Sequence, residues 1–170
     1  AELRATGGIP GSIAVVDAEG GKLTLSSTST AASIPKFDQP ALALTESETT
    51  LFGDVVGRYM LDITSTPDFP RTGAMGREMW KQATGQDVDG VVSLDPVALG
   101  YLLEATGAVD VGSGISLNSS NAASVLMSDV YAIFDTPSEQ DSFFSAATGR
   151  LFNAVTSGTH NPSTLLKSLI

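Results

Sequence analysis

Arg4 stands just ahead of Gly7-Gly8-Ile9-Pro10-Gly11. Backbone amides with that freedom, next to a guanidinium, are a natural cradle for an anion. The stretch is not a Walker loop, because no lysine follows it, and it lacks the dinucleotide-binding spacing. Arg71 and Arg77 follow Pro67-Asp68-Phe69-Pro70, one at a helix start and one a turn and a half in. Arginines so placed either clamp a phosphate or pair with a nearby acid, and acids are plentiful here. With the carboxylates of Asp68 and Asp95, these positions define a candidate ligand-binding set: Arg4, Gly7, Gly8, Asp68, Arg71 and Asp95.

Other chemistries find little support. The single histidine, His160, lies in a Gly/Thr/Asn/Pro stretch that offers no rigid scaffold for a triad imidazole. There are no cysteines, which excludes disulfides, thiolate metal sites and a cysteine nucleophile. Asp87-Val88-Asp89-Gly90 with Asp95 begins like a calcium loop, but Ala98 occupies the position where a bidentate glutamate should close it. No metal site is expected, and no cofactor.

The net charge is −10, from 19 acids against 9 bases. A nucleic-acid backbone is therefore not an expected partner, since no basic stripe exists to release counterions. Simple docking on anionic lipid is disfavoured for the same reason. With 42% hydrophobic and only 16% charged residues, the 170-residue chain is expected to fold as one globular domain with a real core. No run of 18 apolar residues is present. The abrupt start, AELRATGG, predicts a piece of a longer protein whose anchor or signal lies upstream.

The elements that must position these residues read as follows. Residues 12–17 and 22–27 flank Ala18-Glu19-Gly20-Gly21 and predict a β-hairpin. Residues 27–44, rich in Ser, Thr, Ala and Pro, predict an irregular and mobile excursion. Thr45 and Glu48 form a capping box that opens a helix over 46–59, with Leu51, Val55 and Tyr59 four apart. The two prolines of 63–70 predict a loop, and 72–84 a helix with Met75, Met79 and Ala83 on one face and a stop at Gly85.

Residues 88–111 then read as a βαβ unit: an apolar strand at 88–94, a helix capped by Asp95 with Pro96 at its first position, a stop at Gly107, and a strand at 108–111. Asn118 or Ser119 caps the next helix, with Ala122, Leu126, Val130 and Ile133 on one face. Thr136-Pro137-Ser138-Glu139 is a full capping box for a helix whose stripe is Phe143, Ala147, Leu151 and Val155 and which stops at Gly158. A last short helix is expected within 161–170.

ELRATGGIPGS, TPDFP, VDGVVSLDPVALGYLLEATGAVDV, NAASVLMSDVY and SEQDSFF, in that order, resemble domain of unknown function 4012. That family comprises bacterial, largely actinobacterial, envelope proteins. The resemblance implies an extracytoplasmic domain, membrane-anchored through a region upstream of this chain. A more distant similarity is to the LytR-CpsA-Psr family, which moves glycopolymers from polyprenyl-pyrophosphate carriers. It implies an α/β three-layer sandwich, a central mixed sheet with helices on both faces. Of that family's arginine clamp, only Arg4 carries over. Ser26 to Thr30 and Glu139, Gln140 and Asp141 stand where its other charged residues belong.

The expected function is a non-catalytic envelope domain that binds a cell-wall glycan, a polyprenyl-linked carrier or a protein partner. The alternatives are a divergent phosphotransferase, which would require Mg²⁺ and the Arg4, Asp68, Arg71 and Asp95 set, and a structural module of an envelope assembly. One arginine is too few to stabilise a pyrophosphate leaving group, where several charges normally act together.

Overall fold

A computed structural model describes residues 3–157. His160, the Gly158 stop and the helix expected in 161–170 lie outside the described residues. The chain divides into two compact units. One joins Thr30–Ser93 to the chain up to Ile13, and the other joins Ala14–Ser29 to the chain from Leu94 onward.

The strands are short and pair locally. β1 (Leu3–Arg4) and β2 (Gly7–Gly8) form an antiparallel pair. β3 (Ser12–Glu19) and β4 (Lys22–Thr30) make the expected hairpin, turning through Gly20 and Gly21, both with positive φ.

In the first unit, α1 (Glu46–Phe52) begins at the predicted capping box: the Thr45 hydroxyl accepts from the Glu48 amide, and the Glu48 carboxylate accepts from the Thr45 amide. The helix expected over 46–59 is broken. Gly53 takes φ 65° and ψ −146°, a conformation that excludes other residues, and α2 (Val55–Arg58) follows. The break interrupts the four-residue spacing of Leu51, Val55 and Tyr59, and Leu51 is 72% exposed.

The loop expected at 63–70 is also replaced. Met60–Ser65 winds as a 3₁₀ helix, and α3 (Phe69–Thr84) takes Phe69 and Pro70 into its first turn, where a missing N–H costs nothing. Met75 and Met79 are buried as predicted, with Ala31, Met60 and Ile63. Gly85 ends α3 in the left-handed conformation. The segment 27–44, expected to be an irregular, mobile excursion, is built otherwise: 27–30 extend β4, and beyond them Ile34, Phe37, Ala41, Leu42 and Leu44 cover this core. The amides of Phe37 and Ala41 donate to the carbonyls of Arg58 and Gly57.

In the second unit, α4 (Pro96–Thr106) has its expected Asp95 cap and Gly107 stop. The βαβ unit does not form. Residues 86–94 take no regular secondary structure, and Val91, Val92 and Leu94 are exposed. β5 (Val109–Gly112) pairs antiparallel with β6 (Ile115–Leu117) instead. The reason is local. Gly112-Ser113-Gly114 all take positive φ, which closes β5 onto the next three residues. A two-residue closure costs far less chain entropy than a crossover to a strand beyond a helix. The central mixed sheet of a LytR-CpsA-Psr-like sandwich is accordingly not built among the described residues, where every sheet has two strands. The chain is mixed α and β with small sheets.

The helix expected after Asn118 is α5 (Ala122–Ser124), a π-helical stretch (Val125–Asp129) and α6 (Val130–Ile133). One wide turn absorbs about one extra residue. Ala122 and Val130, eight apart, therefore share the buried face, while Ile133 is 54% exposed. α7 (Pro137–Thr156) starts at the predicted capping box, and its Phe143, Ala147 and Leu151 pack with Leu99, Leu103, Val111 and Leu117.

A Cβ built on Gly57 would sit 2.7 Å from the Pro40 Cβ and 3.1 Å from the Leu44 Cδ2. Gly57→Ala is therefore expected to lower unfolding free energy by about 1–3 kcal/mol in urea titration. Gly11→Ala, where the same atom meets nothing within 4 Å, should stay within about 0.5 kcal/mol of the parent. Equal effects at the two positions would contradict the packing of 31–44 on α2.

Candidate functional site

Two helix starts converge in the first unit. α1 brings Thr45, Ser47 and Glu48, and the start of α3 brings Thr66, Pro67, Asp68 and Arg71. Between them lies a cleft of about 290 Å³ whose apolar wall includes Leu51 and Phe52.

Two of its lining residues, Glu48 and Arg71, form an ion pair. Arg71 donates through Nε to Glu48 Oε1 at 2.8 Å and through Nη2 to Oε2 at 3.0 Å. Nη2 also donates to the Ala43 carbonyl at 2.7 Å. Glu48 is only 7% exposed, and its Oε2 accepts from the Thr45 amide as well. The hydrogen bond from Arg71 holds the Glu48 carboxyl below its ordinary value, aided by the Thr45 amide and opposed by burial. Asp68 caps α3 by accepting from the Arg71 amide, at 3.5 Å. Both carboxylates thus lie at helix N-termini, where the backbone dipole favours negative charge. Arg71 itself is neutralised by a bidentate partner.

Of the two readings left open for Arg71, clamp or ion pair, the structure takes the ion pair. Arg4 behaves alike: its Nη1 lies 3.1 Å from Asp62 Oδ1 and donates to the Ser65 hydroxyl at 3.0 Å. Gly7 and Gly8 form β2, in register with Arg4 and Leu3. Gly7 has φ 111°, and its freedom serves this tight return. The turn places Thr6 Oγ1 3.2 Å from Thr72 Oγ1, so the β1–β2 hairpin touches α3 one residue beyond Arg71. Arg77 faces Asp87 at 3.7 Å, and the same carboxylate binds Lys81 at 2.7 Å. Each of these two partners shifts the other toward its charged form: the Lys81 pKa is raised and that of Asp87 lowered by their shared hydrogen bond. Asp95 belongs to the second unit, where it caps α4 by accepting from the Ala98 amide at 2.7 Å.

The sequence-predicted set is thus divided. Asp68 and Arg71 meet in the cleft, Arg4 and β2 sit on a neighbouring turn, and Asp95 is elsewhere in the chain. Glu48 was legible as a capping-box residue, but not as the partner of an arginine 23 positions on. No group of three or more His, Cys, Asp or Glu residues able to hold a metal occurs among the described residues.

Because the folded-state pKa of Glu48 is depressed, its contribution to stability is present above the unfolded carboxyl value, about 4.5, and is lost as pH falls through the folded value. In acid titrations followed by circular dichroism, Glu48→Gln should flatten this limb of the stability curve. Arg71→Ala leaves a buried carboxylate without its cation and is expected to cost about 2 kcal/mol at neutral pH, between the values for exposed and buried pairs. Arg71→Lys should recover only part of it, because an ammonium cannot bind both carboxylate oxygens in a fork.

Neither a curated protein nor a solved structure matches this chain. A family model does, over residues 1–131, a span that includes α1, the start of α3 and the whole cleft. The chain belongs to the family described as Protein of unknown function (DUF4012).

Proposed function

We propose that this chain is a non-catalytic, extracytoplasmic domain of the bacterial cell envelope, held to the membrane through a region outside this sequence, and that the α1–α3 cleft binds a cell-wall glycan. The observation that carries this reading is the local charge balance of the cleft. Glu48 and Arg71 neutralise each other, and Asp68 offsets the α3 N-terminus. What the cleft offers a ligand is fixed hydroxyls and carboxylate oxygens beside an apolar wall of Leu51, Phe52 and Pro67. That combination suits a neutral, hydroxyl-rich ring with one apolar face.

A volume of about 290 Å³ falls just below the usual range for ligand pockets, roughly 300–1,000 Å³, and suits one sugar ring better than a polyprenyl tail. A phosphotransferase of the LytR-CpsA-Psr kind needs several positive charges turned to a leaving group. Here Arg4 and Arg71 are each turned to a carboxylate.

The test is titration of the isotope-labelled chain with soluble cell-wall glycan fragments. Amide shifts concentrated in 45–52 and 66–71 are expected, with dissociation constants in the range of about 10 μM to 1 mM, and Phe52→Ala should weaken binding about tenfold by removing apolar wall area. Shifts absent up to millimolar glycan, or confined to the second unit, would overturn the assignment. Release of phosphate from a polyprenyl-pyrophosphate analogue in the presence of Mg²⁺ would overturn the non-catalytic reading.

A further inference from the structure

Asp89-Gly90 is the only Asp-Gly pair in the chain, and there is no Asn-Gly. It falls in the stretch 86–94, which has no regular secondary structure, and the chain bends at Asp89 itself. Both residues are exposed. Among the described residues, neither the Asp89 carboxylate nor the Gly90 amide has a hydrogen-bond partner. A Cβ built on Gly90 would meet nothing within 4 Å, so the space beside it is open.

Several other acids and amides are held, and Asp38, Asp129, Asp135 and Asp141, for which no hydrogen-bond partner is seen among the described residues, each precede a residue that carries a Cβ. Asp68 and Asp95 accept from helix amides, Asp54, Asp62, Asp87 and Asp110 face basic groups, and Asn118 Oδ1 accepts from the amides of Ser120 and Asn121. We infer that Asp89 is a site of spontaneous backbone isomerisation to isoaspartate.

The chemistry needs only water. The Gly90 backbone nitrogen attacks Asp89 Cγ, forming a C–N bond. The carboxyl hydroxyl leaves and departs as water with the amide proton, giving a five-membered succinimide. Water then adds to one of the two ring carbonyls. Cleavage of the new bond restores aspartate. Cleavage of the original peptide bond leaves the chain running through Cγ, with the α-carboxylate free. Nothing is oxidised or reduced, and the net charge is unchanged. A residue after aspartate that carries a Cβ hinders the attack, which glycine does not, and a hydrogen-bonded amide or carboxylate is not available for it.

The product inserts one extra backbone carbon just before Ser93, where the chain passes from the first compact unit to the second. It also creates a substrate for a carboxyl-methylating repair reaction that recognises isoaspartyl groups.

The experiment ages the full chain in neutral buffer at body temperature beside a short reference peptide containing Asp-Gly. Isoaspartate is then counted by enzymatic carboxyl methylation and located by electron-transfer fragmentation. The expected result is accumulation at Asp89 ahead of every other aspartate and asparagine, slowed severalfold in Gly90→Ala. The open space at Gly90 allows that variant to keep its fold, which its unfolding midpoint verifies. The inference is overturned if the reference peptide converts while Asp89 does not, if another position converts first, or if folded Gly90→Ala converts as fast as the parent.

Discussion

The buried carboxylate of Glu48 is the constraint around which the first unit is arranged. It must receive donors, because a charge removed from water and left unpaired is costly. Its donors come from separate parts of the chain: the Thr45 amide at the start of α1 and the guanidinium of Arg71 in the first turn of α3. Arg71 then reaches the Ala43 carbonyl. One side chain therefore sets the distance between two helix starts and pins the segment ahead of α1. The cleft is the space this arrangement leaves.

The same economy of local partners explains the missing sheet. An apolar run such as 88–94 becomes a strand only if another strand presents a free edge to it. β5 takes β6 as its partner through the glycine turn, and 88–94 pairs with no strand among the described residues. β1–β2 and β3–β4 likewise close on their immediate neighbours. Each of these pairings closes a short local loop, and 88–94 joins none of them. Its Val91, Val92 and Leu94 side chains remain exposed, and its Asp-Gly pair keeps the freedom that a strand would have removed.

For function, the decisive point is that the arginines of the first unit are each answered by a carboxylate. Arg4, Arg58, Arg71, Arg77, Lys81 and Arg150 each lie within ion-pair distance of a carboxylate. In a chain with 19 acids and 9 bases this is the statistical expectation. The family assignment and the cleft come from independent observations: one from the match over 1–131, the other from side-chain geometry.

What the sequence determined by itself was local. Thr45 with Glu48, Asp95 with Pro96, and Thr136 with Glu139 marked helix starts that the structure reproduces, because a cap is satisfied within four residues. Gly85 and Gly107 marked ends for the same reason. The methionine stripe of α3 and the phenylalanine stripe of α7 followed from helical spacing. The tertiary structure alone decided that β5 pairs with β6, that a π turn interrupts the helix after Asn118, that 34–44 packs as core cover, and that Arg71 belongs to Glu48. These outcomes rest on contacts between residues distant in sequence, or on competition between a near partner and a far one. No window of sequence contains both competitors, so periodicity and capping had nothing to weigh.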